Sequence, residues 1–386
     1  MIGTYNYLLY TNDTTFLRRN WSAYRRAMNY IYGKVQPHAA GDLLHVTGLR
    51  DWARWQTGGT QTSAQMLLYR TLITGAKLAE WMDDDNTSNM NFTQTLTTRA
   101  VSLRNAIRTR CYDDISGAFR DNATLTTTLH PQDANSLAVL FGVVDPVETE
   151  TQSISNRLVE NWTPIGPEAP ELPGNISPFI TSLEVAAHLV TGQTARGLEL
   201  IRRCWGWYLN HPNGTQSTVV EGYLVNGTWG YRWNRGYGND FSYVSHAHGW
   251  SAGPTSALTE FVLGLRVTAP HGREWRFAPQ FGDLEYVQGG FVTGLGKFQA
   301  WWIKGAAMDG YTAGISTPAG TTGQLILPVL VQGQIPMVTV DGKMENPQWH
   351  RRSGAGDLVF VDVIGGNHTI QVEEEELSSQ IPSVPR

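Results

Sequence analysis

The chain has 386 residues, enough for more than one hydrophobic core, and carries a formal net charge of -5 from 29 basic and 34 acidic side chains. Five lysines and no basic patch argue against nucleic acid or an anionic membrane surface as partner, and no apolar run approaches the ~18 residues of a membrane span. Charged residues are only 16% while 14 Trp, 15 Tyr and 40 Gly exceed common usage, a profile shared by aromatic-rich cores and by extracellular proteins that stack sugars on aromatic rings. In chain order, a first helix is expected at about 3 to 11. In TNDTTFLRRNWSAYRRAMNYIYG the residues Phe16, Trp21, Tyr24, Met28 and Ile31 form one apolar stripe between the capping residues Asp13 and Thr14 and the stop at Gly33. TSAQMLLYRTLITGAKLAEWM repeats the pattern with Ala64, Leu67, Leu68, Thr71, Leu72 and Leu78, and further helices are expected near 93–111, 133–142, 148–161, 178–191, 194–209 and 253–265.

Between these helices run long polar connections at 35–59, 112–131, 164–178 and 210–251, alternating with short ones such as TGQT. Loops beyond about 12 to 15 residues often carry function, and the alternation suits helical hairpins arranged around an axis with the long loops at one end. After Thr268 the texture changes to short period-two runs broken by Gly and Pro, the mark of an antiparallel β-sandwich. The expected division is a helical domain over 1–267, a sandwich over 268–374, and a disordered tail over 375–386, acidic and then Ser/Pro-rich.

The segment MIGTYNYLLYTND has neither the charged region nor the cleavage site of a signal peptide. Ten Asn-x-Ser/Thr sequons nevertheless occur, at Asn12, Asn20, Asn86, Asn91, Asn122, Asn161, Asn175, Asn213, Asn226 and Asn367. Chance would give about three, which favours an extracellular, glycosylated full-length protein. Cys111 and Cys204 are too few for a disulfide framework or a zinc site; Cys204, beside Trp205 in an apolar helix, reads as a buried thiol, with a bridge between the two left open.

Glu221, in STVVEGYLVNGTWGYRW, sits in the longest aromatic-rich loop, where burial would suit it to act as a base; an ordinary loop glutamate is the alternative. Asp51 in LRDWARWQTGG is flanked by Trp52 and Trp55, so it could bind sugar hydroxyls while the indoles stack on the ring, or it could cap a loop. Asp133 in HPQDANSLA reads as a helix N-cap. SHAHGWSAGPTSALTEFVLGL places His246, His248 and Trp250 on a Gly/Ser loop ahead of a helix. The histidines have the spacing of a metal pair on a strand, but no third ligand accompanies them, so a hydrogen-bonding role at a site mouth is preferred and no metal is expected. Without a G-x-S-x-G elbow, P-loop or Rossmann fingerprint, no cofactor is expected and serine hydrolysis, phosphoryl transfer and hydride transfer lack support.

These blocks, with IGTYNYLLYTND, TGLRDWAR, HPQDANSLAVLFGV, ELPGNISPFI and FAPQFGDLEYVQGGFVTGLGKFQAWW, closely resemble α-L-rhamnosidases of glycoside hydrolase family 78, in order and up to about residue 330. The resemblance implies an all-α (α/α)6 toroid followed by an antiparallel β-sandwich, and hydrolysis of terminal α-L-rhamnose with inversion. It implies Glu221 as general base, Asp51, Trp52 and His248 as sugar contacts, and Val220 where the family usually has an aromatic. Trp55 and Trp250 complete the expected substrate-binding set.

The family's general acid and a further substrate-binding aspartate come from an Asp-rich block ahead of the helix that IGTYNYLLYTND matches. Inverting hydrolysis needs two carboxyls roughly 6.5 to 9.5 Å apart, and only the base half is recognised here, so a toroid lacking its first helices, impaired in turnover, is expected. An open apolar flank would then favour self-association. Two other readings stay open: a non-catalytic carbohydrate-binding remnant, and a six-hairpin glycosidase acting on another sugar with Asp51 and Glu221 as its pair.

Overall fold

Helix α1 (Ile2–Thr11) ends where Asn12 takes the left-handed conformation, and α2 (Thr14–Tyr32) begins at once because the Asp13 carboxylate accepts the Phe16 N–H at 2.8 Å. The α2 stripe buries Leu17, Trp21, Tyr24 and Met28; Phe16 turns outward and packs edge-on against Tyr7. In α3 (Thr62–Glu80) most residues are buried all round, since α1 packs on one side and α4 (Thr87–Cys111) and α5 (Gln132–Leu140) on others. The α4 stripe of Phe92, Leu96, Ala100, Leu103, Ile107 and Cys111 completes one core with them. Helices α6 (Thr149–Val159), α7 (Pro178–Val190) and α8 (Thr194–Ile201) follow, and α8 continues through a π turn (Arg202–Gly206) into α9 (Trp207–Leu209). A last short helix, α10 (Gly253–Ala257), leads into a second π turn, Leu258–Leu263. The structure is a computed structural model and describes residues 1–38, 41–55, 58–82, 87–123, 126–305, 310–330, 336–345, 348–350 and 358–373. The expected tail over 375–386 and the sequon at Asn86 lie outside the described residues.

The helical unit is not an all-α toroid. Its long connections pair into two-stranded ladders: β1 (Val35–Gln36) with β2 (Leu43–Leu44), β3 (Tyr112–Asp113) with β4 (Ala118–Phe119), β5 (Trp162–Thr163) with β6 (Gly166–Pro167), and β7 (Asn175–Ile176) with β8 (Tyr223–Leu224). No closed barrel forms among the described residues, and the chain as a whole mixes helix and sheet, which corrects the all-α expectation. The physical reason is that these loops are partly buried, as at Leu43, Phe119 and Ile176, so their backbone polar groups must find partners.

The chain divides into two compact units between Ala257 and Leu258. In the second unit a five-stranded sheet has the order β17-β18-β14-β10-β9, built from β9 (Leu265–Val267), β10 (Glu274–Phe277), β14 (Thr322–Pro328), β17 (Gln348–His350) and β18 (Leu358–Ile364). A six-stranded sheet has the order β11-β12-β13-β19-β15-β16, from β11 (Tyr286–Thr293), β12 (Gly296–Lys304), β13 (Gly310–Ser316), β15 (Met337–Val340), β16 (Lys343–Met344) and β19 (Asn367–Glu373). Phe298, Ala300 and Trp302 of β12 point into the core while Lys297, Gln299, Trp301 and Ile303 point out, and Tyr311 reaches across the two sheets to donate to the Pro328 carbonyl at 3.2 Å. The sandwich is not wholly antiparallel: β10 and β14 pair in parallel, and the Trp275 ring crosses Gly323, where an added Cβ would approach it to 2.3 Å.

Candidate functional site

Glu221 is held by a short ladder between two loops. Thr218 donates through its hydroxyl to the His246 carbonyl, the His248 N–H donates to Val219 O at 2.8 Å, and the Glu221 N–H donates to Ser245 O at 2.8 Å. The side chain is 4% exposed. Its Oε2 accepts the Ser245 N–H at 3.0 Å and its Oε1 accepts the Tyr237 hydroxyl. Burial first, and then this bond to a carboxylate, push the Tyr237 phenol up to about 12, so it remains a donor across the physiological range. Behind Glu221, Gly222 lets the buried Tyr231 ring pass against the backbone, where an added Cβ would meet it at 2.4 Å. The Trp250 indole donates to the Glu221 carbonyl at 3.0 Å, and its ring stacks on Phe179 of α7 at 5.1 Å and packs against His248 at 4.3 Å.

Trp52, Tyr237 and Trp250 pack on one apolar cluster of Ala53, Ala169, Leu172, Tyr231 and Val244, which brings the 51–54 loop and the Glu221 loop together. Arg232 ties them further by donating to the Trp52 carbonyl. Trp55 stands apart: it is 46% exposed, with the Arg50 guanidinium over its ring at 5.3 Å. His246 packs its ring against Trp229 at 5.0 Å, and among the described residues no group of three His, Cys, Asp or Glu side chains could hold a metal.

The residue that sequence reasoning missed is Arg54, in the same DWAR block. Its guanidinium is buried and pairs with Asp51 at 2.8 Å, Asp121 at 2.7 Å and Asp133 at 2.8 Å. Asp133 therefore is not an N-cap: Pro131 occupies that position, and the Asp133 carboxylate also accepts the Trp52 indole N–H at 3.0 Å, fixing that ring. The orphan amides of α5 are capped from a distance instead. Glu171 of the ELPG block accepts the Gln132 N–H at 2.8 Å and the Asp133 N–H at 2.9 Å.

Complete burial and then the neighbouring Asp133 push Glu171 up to about 8, while Asp133, opposed by its own burial, is carried below the usual carboxylate range by Arg54. One guanidinium thus pairs with three aspartates while Glu171 lies close enough to feel its charge, and burial raises both Glu171 and Asp121. Asp51 is fully committed, since besides Arg54 it accepts the Gln61 amide at 2.8 Å and the N–H groups of Ala53 and Arg54 at 2.8 and 2.6 Å. The only advance signal for this nest was a charged pair inside an aromatic block.

Both cysteines are free and buried; burial pushes Cys111 up to about 11 and Cys204 up to about 12, so each stays a protonated thiol. Asn175, within a sequon, is 3% exposed and accepts the Arg232 N–H at 2.9 Å, so a glycan there is incompatible with this packing. No helix among the described residues is long and apolar enough to cross a membrane.

No family model and no curated protein matches the chain. Solved structures do. An α-L-rhamnosidase from Dictyoglumus thermophilum is similar at a TM-score of 0.68 and 14% identity, covering 97% of this chain and 39% of its own. One from Streptomyces avermitilis, solved with L-rhamnose, gives 0.63 and 15% over 95% of this chain and 32% of its own, and one from Aspergillus terreus gives 0.63 and 16% over 96% and 38%. The chain spans about two fifths or less of the length of these proteins. At this identity the likeness is one of fold: the chain has the fold of the corresponding part of family 78 α-L-rhamnosidases.

Proposed function

We propose that the chain is a glycoside hydrolase of the α-L-rhamnosidase type, releasing terminal α-L-rhamnose with inversion, with Glu221 as the base that takes a proton from the attacking water. The observation that carries this reading is the setting of Glu221: a buried carboxylate without an ion pair among the described residues, oriented by one phenol and one amide beside Trp52 and His248. Arg54 and Asp133 fix Trp52 so that it can meet the sugar, and His248 lines the mouth. Trp55, exposed and apart from the cluster, is an outer contact for the aglycone side.

Asp51 has its oxygens committed to Arg54, Gln61 and two backbone amides, which suits it to hold the loop rather than to donate a proton. This disfavours a glycosidase using Asp51 and Glu221 as its acid and base. It also favours, as a second reading, rhamnose binding with slow turnover, because delivering a proton to the leaving oxygen is worth about 10²- to 10⁴-fold. Extracellular location and N-glycosylation belong to the proposal and rest on the sequons; self-association through an apolar flank does so on the resemblance alone.

The test is hydrolysis of a nitrophenyl α-L-rhamnoside, whose leaving group needs little protonation, beside a natural rhamnoside, with calorimetric titration of free L-rhamnose. Turnover of the aryl substrate that falls about 10²- to 10⁴-fold in Glu221→Gln, with rhamnose binding kept, is the expected result. Rhamnose binding with no turnover of either substrate would leave the binding reading, and neither binding nor turnover would overturn both.

A further inference from the structure

The outward face of the six-stranded sheet carries an arrangement unrelated to Glu221. Trp301 of β12 lies across Gly314 of β13, its register partner, where an added Cβ would meet the indole at 2.3 to 2.8 Å. Glycine at 314 is what lets the ring lie down on the sheet, and the indole keeps 37% of its surface exposed. Around it a hollow of about 340 Å³ is lined by Gln299, Trp301, Gly314, Ser316, Asn367 and Thr369. The hollow's other exposed side chains are neutral amides and hydroxyls, with Lys297 two residues beyond Gln299 on the same face of β12 and His368 at the edge of the hollow. A second, of about 370 Å³, continues the same face past Ile303, Thr312 and Gln371, with Lys304 and Glu373 at its margin. From Ser316 to Thr312 the two hollows extend over five residues of β13, four steps or about 13 Å.

The polar groups have hydrogen-bonding capacity to spare. The Gln299 side chain makes no hydrogen bond among the described residues, and Ser316 donates to Asn367 Oδ1 at 2.6 Å, which fixes that amide and leaves its NH₂ to donate outward. An exposed indole ringed by neutral amides and hydroxyls matches a ligand with an apolar face and a belt of hydroxyl groups.

We propose that this face is a second carbohydrate-binding site, taking a neutral oligosaccharide whose pyranose ring packs on Trp301 while its hydroxyls bond Gln299, Asn367 and Thr369. The site lies in the other unit from Glu221 and does not depend on the chain being a hydrolase.

The experiment is electrophoresis of the chain, produced in bacteria so that Asn367 bears no glycan, through gels containing xylan, mannan or mixed-linkage β-glucan, with calorimetric titration of the matching hexasaccharide. Retardation in at least one gel is expected, weakened at least about tenfold in apparent affinity, or about 1.4 kcal/mol, by Trp301→Ala, less by Trp301→Phe and measurably by Gln299→Ala. Gln299 is exposed and supports no packing, so its variant guards against misfolding as the cause. Hydrolysis of a nitrophenyl rhamnoside by Gln299→Ala should equal that of the parent chain, which separates this site from the one at Glu221. Migration unaffected by all three polysaccharides, or retardation unchanged in both Trp301→Ala and Gln299→Ala, would overturn the proposal.

Discussion

Two buried carboxylate regions lie side by side in the helical unit and solve opposite problems. Around Arg54, three aspartates share one guanidinium, and Asp51 and Asp133 accept further bonds from Gln61, Trp52 and backbone amides, so these carboxylates are committed. Around Glu221 there is burial without an ion pair among the described residues: one phenol and one amide satisfy the carboxylate just enough to orient it. A saturated carboxylate is held in place and does little chemistry, whereas one held by two neutral donors keeps capacity for a water proton. On the function proposed here, the Arg54 region is the mount and Glu221 the working part.

Removing the mount should have the largest effect. Arg54→Met leaves three buried or half-buried aspartates without their counter-charge, and a loss of about 3–5 kcal/mol in unfolding free energy by urea titration is expected. A loss below about 1 kcal/mol would mean that the nest is as dispensable as a surface pair, and the contrast with Glu221 would fail.

Glu171→Gln sharpens the comparison through pH. Glu171 has its folded value raised to about 8, so its contribution to stability is fully present below the unfolded value near 4.5 and is lost as pH rises through about 8. Thermal unfolding of the parent should therefore weaken between pH 5 and 9 more steeply than that of the variant. The variant should be less stable at pH 5, by about 1–3 kcal/mol, because a glutamine accepts only one of the two α5 amides. Parallel profiles would show that the charge in this nest is partitioned differently.

Tyr237→Phe is the mildest change. It removes one of the two donors to Glu221 and leaves the ring on its apolar cluster, so stability should hold while aryl-rhamnoside turnover falls by about 0.5–1.5 kcal/mol, or about two- to tenfold. A loss as large as that of Glu221→Gln would instead place the phenol in the chemistry itself.

What was legible in the sequence follows the range of the cause. The α2 stripe and its Asp13 cap are local, and periodicity found them, with Phe16 and Leu17 exchanged because a one-residue rotation of a stripe costs little pattern. The alternation along β12 marked it as a strand of the sandwich. The resemblance singled out Glu221, Asp51, Trp52 and His248; the structure gathers Glu221, Trp52 and His248 and ties Asp51 to Arg54, and it leaves aside Trp55, whose place in the same aromatic block suggests stacking. Arg54 stayed hidden because a guanidinium is ordinarily a surface group, and its burial is decided by Asp121 and Asp133, 67 and 79 positions along the chain. Asp133 was misread for the same reason, since its proper capping role is taken by Glu171, 38 residues away. The parallel pairing of β10 with β14 left no mark in either strand.

The bond from Arg232 to the Trp52 carbonyl joins positions 180 apart. Closing so long a span comes late in folding, after the local helices have formed. If the proposed function holds, recovery of rhamnose binding on refolding is thus set by the completion of the whole first unit, and a chain with its helicity restored is still blind to sugar until that last clasp shuts.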